Sequence, residues 1–139
     1  MSLSIRNQLP GTVTSVTPGE VMATVKIRLD AGQEITAAVT REAVNELGLT
    51  SGSTVRALVK ATEVSLATAP VTGVSIRNQL PGTVTDVASG GAMARVKVQI
   101  AGGELTSAIT NDAVTELRLS AGSEVVALIK STEVSLSNA

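Results

Sequence analysis

Hydrophobic and polar residues alternate with a period of two along one stretch of the chain. The run from Val21 to Leu29 alternates in this way, and so does the run from Ala92 to Ile100. This pattern is typical of a β-strand that buries one face. We expect the buried face to carry Val21, Ala23, Val25, Ile27 and Leu29, and in the later run Ala92, Ala94, Val96, Val98 and Ile100.

Shorter apolar runs bounded by turn residues predict further strands around each alternating run. In the first half of the chain these are Thr12–Val16, Gln33–Val39, Thr54–Lys60 and Glu63–Leu66. A short helix is expected after the N-cap Thr40, ending at Gly48, and its counterpart after Thr110, ending at Arg118. The pattern therefore predicts a mainly β fold: two tandem OB-like five-stranded β-barrels, each with one short helix.

The chain contains one unit twice. The segment SIRNQLPGTVT at Ser4–Thr14 recurs unchanged at Ser75–Thr85, and tandem duplication explains this identity. Between the copies lies a short stretch of small and polar residues that includes Pro70, which is typical of a linker. The predicted units are a first domain at residues 1–67, a linker at 68–74 and a second domain at 75–139.

The composition excludes several kinds of chemistry. The 139 residues include no Phe, Trp, Tyr, His or Cys, so we expect no thiolate nucleophile, imidazole base, thiolate zinc site or disulfide. Carboxylates are present, but no nucleophile or clustered metal ligands accompany them. We therefore expect a protein that is not an enzyme and that has neither a resident metal nor an organic cofactor.

Nucleic acid and membranes are not expected as partners. Eleven Lys and Arg residues against twelve Asp and Glu residues give a net charge of -1, so no basic surface for DNA is implied. The chain has no aromatic side chains on which single-stranded bases could stack. No apolar run approaches the length of a membrane span, and the N-terminal MSLSIRN lacks a signal-peptide core, so we expect a cytoplasmic protein.

Two groups of residues are rich in hydrogen-bond donors. The first is Ser-Ile-Arg-Asn at Ser4–Asn7, repeated at Ser75–Asn78, where a hydroxyl, a guanidinium and an amide suit a dianion. The alternative is an edge strand with solvated side chains. The second group joins the lysine segments to the capping threonines at the helix starts, which offer free N–H groups. Its members are Lys60, Ala61, Thr62 and Thr40, and in the second copy Lys130, Ser131, Thr132 and Thr110. Here the alternative is ordinary helix capping beside a solvated lysine.

Several apolar residues are predicted to face away from the core. Met22 and Met93 lie opposite the predicted core set, and Leu58 and Leu128 lie opposite the inward positions of their strand. Scattered surface apolar residues are normal, but both positions occur in both copies. Each copy is also small and lacks aromatic residues to fill a core. We therefore expect a homo-oligomer in which these surfaces pack against another copy or chain.

The order and spacing of these segments resemble the molbindin (Mop) family of molybdate-binding domains, in its two-domain form. The segments that carry the resemblance are S-x-R-N-Q-L-P-G-T-V, G-x-x-x-A-x-V, T-x-x-A-V-x-E-L-x-L-x-x-G and A-L-[VI]-K-[AS]-T-x-V, in that order. The resemblance implies an OB-like barrel and a homotrimer in which molybdate or tungstate lies between subunits. Met22 and Met93 replace the Asn of the family's second strand, which places any site on a symmetry axis in doubt.

The resemblance also implies the binding residues. They are Ser4, Ile5, Arg6, Asn7, Thr40, Lys60 and Ala61, and in the second copy Ser75, Ile76, Arg77, Asn78, Thr110, Lys130 and Ser131. The function implied is non-covalent binding of the oxyanion for intracellular storage and homeostasis. Two alternatives remain open: an oxyanion-responsive regulatory or interaction module, and a structural β-barrel oligomer without a ligand.

Overall fold

The computed structural model describes residues 2–139, which form ten β-strands, two α-helices and two 3₁₀ turns. The elements of the first repeat are β1 (Asn7–Pro18), β2 (Met22–Leu29), β3 (Glu34–Thr40), α1 (Arg41–Leu47), β4 (Thr54–Val59), a first 3₁₀ turn (Ala61–Glu63) and β5 (Ser65–Ala67). Those of the second repeat are β6 (Asn78–Ser89), β7 (Met93–Ile100), β8 (Gly103–Thr110), α2 (Asn111–Leu117), β9 (Glu124–Ile129), a second 3₁₀ turn (Ser131–Glu133) and β10 (Ser135–Asn138). The predicted mainly β fold of two tandem units is confirmed. No helix between residues 2 and 139 is long and apolar enough to cross a membrane.

The two repeats exchange their last strands. The strands form two curled five-stranded sheets in the orders β10-β4-β1-β2-β3 and β5-β9-β6-β7-β8. Each sheet therefore takes four strands from one repeat and its last edge strand from the other. Leu136 of β10 pairs with Ala57, and Leu66 of β5 pairs with Ala127, both antiparallel. Neither repeat completes its own sheet.

The core is continuous across both repeats, because the exchanged strands contribute to a single hydrophobic cluster. Strand β2 alternates exposed and buried positions along its whole length, as the period of two predicts. The prediction of the buried face was wrong for two residues. Val21 and Ala92 are exposed, because the strands begin one residue later, at Met22 and Met93, and both residues lie in the preceding turn.

The apolar positions predicted to face outward divide into two kinds. Met22 and Met93 are exposed as expected, at 45% and 46% of their surface. Leu58 and Leu128, in contrast, are buried within the single chain, although alternation places them opposite the inward positions of their strands. Their strands are interior ones, because the exchanged strand lies alongside and pairs Ser135 with Leu58 in β4 and Ser65 with Leu128 in β9.

Both helices have the caps that the sequence predicts. The Oγ1 of Thr40 accepts a hydrogen bond from the backbone N of Ala43 at 3.1 Å, and Thr110 caps α2 in the same way. Gly48 ends α1 with φ of 63°. Arg118 ends α2 with φ of 55°, in the left-handed region that favours glycine. The second helix therefore ends on a residue whose backbone is strained.

Candidate functional site

The start of each repeat meets the end of its fourth strand. Asn7, the first residue of β1, pairs with Val59, the last residue of β4. Asn78 pairs with Ile129 in the same manner. The segments Ser4–Asn7 and Ser75–Asn78 therefore enter the sheets where Lys60 and Lys130 leave them, so in each repeat the structure brings the SIRN segment next to the lysine.

The two asparagines join the repeats to each other. Both are almost fully buried. The Nδ2 of Asn7 donates to the carbonyl of Thr106 at 2.8 Å, and its Oδ1 accepts from the N–H of Thr106 at 2.8 Å. Asn78 forms the same pair with Thr36, at 2.9 and 2.8 Å. Each amide thus pairs with an edge strand of the other repeat as a strand backbone would, and keeps one N–H for another acceptor.

The other members of the SIRN segments lie at the surface. Ser4, Arg6, Ser75 and Arg77 are exposed, and Ile5 and Ile76 are half-buried. The guanidinium of Arg6 donates to the carbonyls of Ser4 and Leu3, at 3.2 and 3.4 Å. Its donors therefore bond only to backbone of their own segment, where a stronger acceptor such as an anion would compete with them.

A 3₁₀ turn follows each lysine. Lys60 immediately precedes the first turn, and its carbonyl accepts from the N–H of Glu63 at 2.9 Å. The first N–H groups of such a turn have no acceptor within it, so those of Ala61 and Thr62 are available as donors. In the second turn, the Oγ of Ser131 is enclosed yet has no hydrogen-bond partner among the described residues. A buried hydroxyl without a partner is unfavourable, so the O–H of Ser131 is available to donate to a bound acceptor.

The strand exchange regroups the predicted residues across the repeats. The first 3₁₀ turn packs against β8, and the second packs against β3. The SIRN segment and lysine of the first repeat therefore share their surroundings with the strand that ends at Thr110. Those of the second repeat share theirs with the strand that ends at Thr40. Each SIRN segment and its lysine thus stay together within one repeat and pack against an edge strand of the other repeat.

The surface beside Thr40 differs in charge from the SIRN segments. An open cleft of about 440 Å³ next to Thr40 and Arg41 is also lined by Glu20, Glu42 and Glu46. These carboxylates oppose the approach of a dianion from that side. The Oγ1 of Thr40 already accepts a bond from the helix, although its O–H remains free to donate. Thr40 therefore acts as a helix cap whose O–H remains available to donate.

The cations near the SIRN segments are not neutralised by neighbouring carboxylates. Two ion pairs occur within residues 2–139, Arg95 with Asp86 at 3.5 Å and Lys97 with Glu104 at 3.8 Å. Neither pair includes Arg6, Arg77 or the lysines before the 3₁₀ turns. In the part of the chain that the structure describes, no group of three acidic side chains could hold a metal ion. The chemistry at these segments is that of hydrogen-bond donors and positive charge.

The larger concavities of the molecule lie elsewhere. An open groove of about 550 Å³ separates α1 from β1, and another of about 470 Å³ lies between the linker and β6. Neither is lined by the SIRN segments or by the two lysines. The exposed donors of the SIRN segments and the two lysines are therefore displayed on the surface of the chain and not inside a deep pocket.

Three residues that hold these segments were not predicted. Thr36 and Thr106 bind the asparagines through backbone atoms, so their side chains give no signal in the sequence. Ser107 donates its Oγ–H to the carbonyl of Val64 at 2.6 Å. It occupies an inward position of β8 between Leu105 and Ile109, and a serine in such a position is the signal that could have revealed it.

Comparison with known families finds the same unit twice. The TOBE domain family matches residues 3–66 and again residues 74–136. The molybdenum-pterin-binding protein MopB of Rhodobacter capsulatus is 39% identical over 135 residues, covering 96% of this chain and 50% of that protein. The molybdenum transport protein ModE of Azotobacter vinelandii is 39% identical over 137 residues, covering 98% of this chain and 51% of that protein. The chain thus spans about half the length of these curated relatives.

Two further proteins match this chain over all or nearly all of their own length. The molybdenum-pterin-binding protein 2 of Clostridium pasteurianum is 39% identical over 66 residues, which cover 48% of this chain and 97% of that protein. The crystal structure of the cytoplasmic molybdate-binding protein ModG, with molybdate bound, matches along the full length of both chains. Its TM-score is 0.96 at 40% sequence identity. The chain therefore has the two-domain Mop-type architecture.

Proposed function

This chain belongs to the TOBE domain family, and we propose that it binds the molybdate oxyanion, or the similar tungstate, without a covalent step. The observation that carries the proposal is the likeness to ModG, which is 40% identical along the full length of both chains and holds molybdate. Support also comes from the hydroxyl of Ser131, which is enclosed beside Lys130 and has no partner among the described residues. An oxygen atom of a tetrahedral dianion would accept a hydrogen bond from it.

We propose two binding sites per chain, each built across the repeats. Site 1 consists of Ser4, Ile5, Arg6, Asn7, Lys60 and Ala61, with Thr110 of β8. Site 2 consists of Ser75, Ile76, Arg77, Asn78, Lys130 and Ser131, with Thr40 of β3. Guanidinium and ammonium groups supply charge, while hydroxyls and backbone N–H groups supply the geometry. With a net charge of -1, attraction comes from these local donors and not from the field of the whole protein.

The protein is proposed to hold the anion without transforming it. Its relatives and its structural neighbour are named as binding or transport proteins. The donors of both sites bind an oxyanion but offer neither a nucleophile nor an acid–base pair. Reversible binding of this kind suits intracellular storage and homeostasis of molybdate, and a cytoplasmic location is proposed from the likeness to ModG.

A homotrimer is the proposed assembly. The arginines of both sites are exposed on the single chain, so the donors surround an anion on one side only. Val21, Met22 and Met93 add exposed apolar surface away from the core. A second chain packed over these surfaces would bury the apolar groups and enclose the anion. Light scattering should give a mass near three times 14.0 kDa, and the mass of one chain would contradict the assembly.

A second candidate function is supported by the length of the relatives. The chain matches about half of a protein named transcriptional regulator ModE from Yersinia pestis, at 35% identity. Within a longer protein or a complex, the same anion site would serve as a regulatory module. A pull-down with and without molybdate distinguishes the two functions, because only a regulatory module changes its partners with the anion.

Equilibrium dialysis against molybdate, followed by metal analysis, tests the proposal directly. We expect two anions per chain, and competition by tungstate because it has nearly the same size and charge. An excess of sulfate should compete less well. No bound molybdenum would favour the remaining alternative, a structural oligomer that binds no ligand.

A further inference from the structure

Ser107 links the second repeat to the turn that carries Lys60. It is fully buried on β8, and its Oγ–H donates to the carbonyl of Val64 at 2.6 Å. Val64 directly follows the first 3₁₀ turn. The adjacent Thr106 holds Asn7 through two further hydrogen bonds. Two neighbouring residues of β8 therefore anchor both segments of site 1.

Site 2 keeps one of these anchors and lacks the other. Thr36 holds Asn78 as Thr106 holds Asn7. The residue that corresponds to Ser107 is Ala37, which is equally buried but has no hydroxyl to offer the carbonyl of Val134. The second 3₁₀ turn is thus attached to β3 by one fewer hydrogen bond. The repeats therefore differ in one hydrogen bond between the edge strand and the segment that follows the lysine turn.

We propose that Ser107 is a positioning residue that holds the Lys60 turn in its anion-binding geometry, so that the two sites of one chain are inequivalent. This inference rests on the proposed binding of molybdate at both sites. Ser107 belongs to the opposite repeat and acts through Val64, without touching the anion itself. A turn already fixed in place loses less conformational freedom when the anion binds, and this raises affinity at site 1 alone.

The expected effect is modest and selective. A single neutral hydrogen bond changes an equilibrium by about two- to ten-fold. Removing the hydroxyl with Ser107→Ala should weaken site 1 by that factor and leave site 2 unchanged. The reverse change, Ala37→Ser, places a hydroxyl at the corresponding position of β3. It should strengthen site 2 by a similar factor, because β8 shows that a serine fits there.

Lysine variants isolate the two sites for measurement. In Lys130→Ala only site 1 keeps its lysine ammonium group, so the titration reports mainly on site 1. In Lys60→Ala only site 2 keeps its ammonium group, so the titration reports mainly on site 2. Calorimetric titration with molybdate is then repeated after adding Ser107→Ala to each background. We expect a two- to ten-fold loss of affinity in the Lys130→Ala background and none in the Lys60→Ala background. Ala37→Ser in the Lys60→Ala background should instead raise the affinity for molybdate.

Thermal unfolding without molybdate distinguishes an effect of Ser107 on the Lys60 turn from a general loss of stability of the chain. Ser107→Ala should lower the melting temperature by the same amount in both backgrounds, so a loss of affinity confined to one of them cannot come from stability. Equal weakening of both sites, or of neither, would overturn the role of Ser107. If wild-type protein binds no molybdate, the proposed function itself fails, and that result is distinguishable because it appears before Ser107 is changed.

Discussion

The side-chain amide of Asn7 forms two hydrogen bonds of 2.8 Å with the backbone of Thr106, 99 residues away in the other repeat. The amide occupies the position that the backbone of an additional strand would take at the exposed edge of β8. Edge strands leave N–H and C=O groups unpaired, and Asn7 satisfies both groups of one residue. The same residue type therefore completes the sheet edge and begins the proposed anion-binding segment.

Replacing this amide should destabilise the folded chain. Asn7→Ala removes both hydrogen bonds and leaves the N–H and C=O of Thr106 without partners. We expect the free energy of unfolding to fall by about 2–6 kcal/mol, since two groups lose their partners and each unpaired group costs about 1–3 kcal/mol. Urea unfolding at fixed protein concentration measures the change. Gln8→Ala, which removes one bond of 3.3 Å to the carbonyl of Ile5, is the control and should have a smaller effect. Equal effects would contradict the role of Asn7.

Because the last strands are exchanged, a change in the last strand of one repeat should destabilise the sheet of the other repeat. Leu136 of β10 pairs with Ala57, so Leu136→Ser should loosen β4 of the first repeat. The matched variant, Leu66→Ser in β5, should loosen β9 of the second repeat. Amide hydrogen exchange reports the change, because protection falls where local unfolding becomes easier. Loss of protection within the variant's own repeat would show that the strands are not exchanged.

The ends of the two helices offer a matched pair of substitutions. Arg118 has φ of 55°, a conformation that costs a residue with a side chain about 1 kcal/mol, whereas Gly48 adopts it freely. Arg118→Gly should therefore raise the free energy of unfolding by about 0.5–1 kcal/mol. Gly48→Arg should lower it by about 1 kcal/mol. Thermal unfolding of both variants checks the signs, and a fall for Arg118→Gly would show that the arginine side chain contributes more than its backbone strain costs.

Local patterns predict most of the fold. The period of two defines β2 and β7, and the capping residues define both helices, because these features depend on neighbours in sequence. The exchange of β5 and β10 was not predicted. Both copies have nearly the same sequence around Leu66 and Leu136, so pairing within a repeat and pairing across repeats look alike in the sequence. Which pairing forms depends on the path of the chain after each 3₁₀ turn.

For the candidate site, the sequence predicts the types of residue but not how they are arranged. Arg6, Lys60 and their counterparts were recognisable as donors, but the pairing of β1 with β4 and of β6 with β9 that brings them together joins segments about 50 residues apart. Leu58 was expected on a surface that packs against another copy or chain, and it is buried within the single chain, in a strand whose neighbour β10 comes from the other repeat. The anchoring by Thr106 uses backbone atoms, which no side-chain pattern reveals. The contacts between the two copies therefore could not be predicted from the sequence.

Single-stranded DNA should not bind, despite the barrel fold. The chain has no aromatic residue for stacking, and its net charge is -1. Fluorescence anisotropy with a labelled oligonucleotide at about 150 mM salt should show no binding in the micromolar range. Submicromolar affinity would mean that Arg6, Arg77 and the lysines form a surface for phosphates and not a site for a small oxyanion.

The most direct measurement is a calorimetric titration with molybdate of wild-type protein and of the variant with both Lys60→Ala and Lys130→Ala. Charge-assisted hydrogen bonds contribute about 1.5–3 kcal/mol, so the double variant should bind about ten- to a hundred-fold more weakly. Without molybdate, its melting temperature should equal or exceed that of wild type, because like charges no longer face each other around an empty site. Molybdate should raise the melting temperature of wild type much more than that of the variant, since the anion stabilises only the folded state that binds it. Equal affinities and equal thermal responses would contradict the account, because they would place the anion away from both lysines.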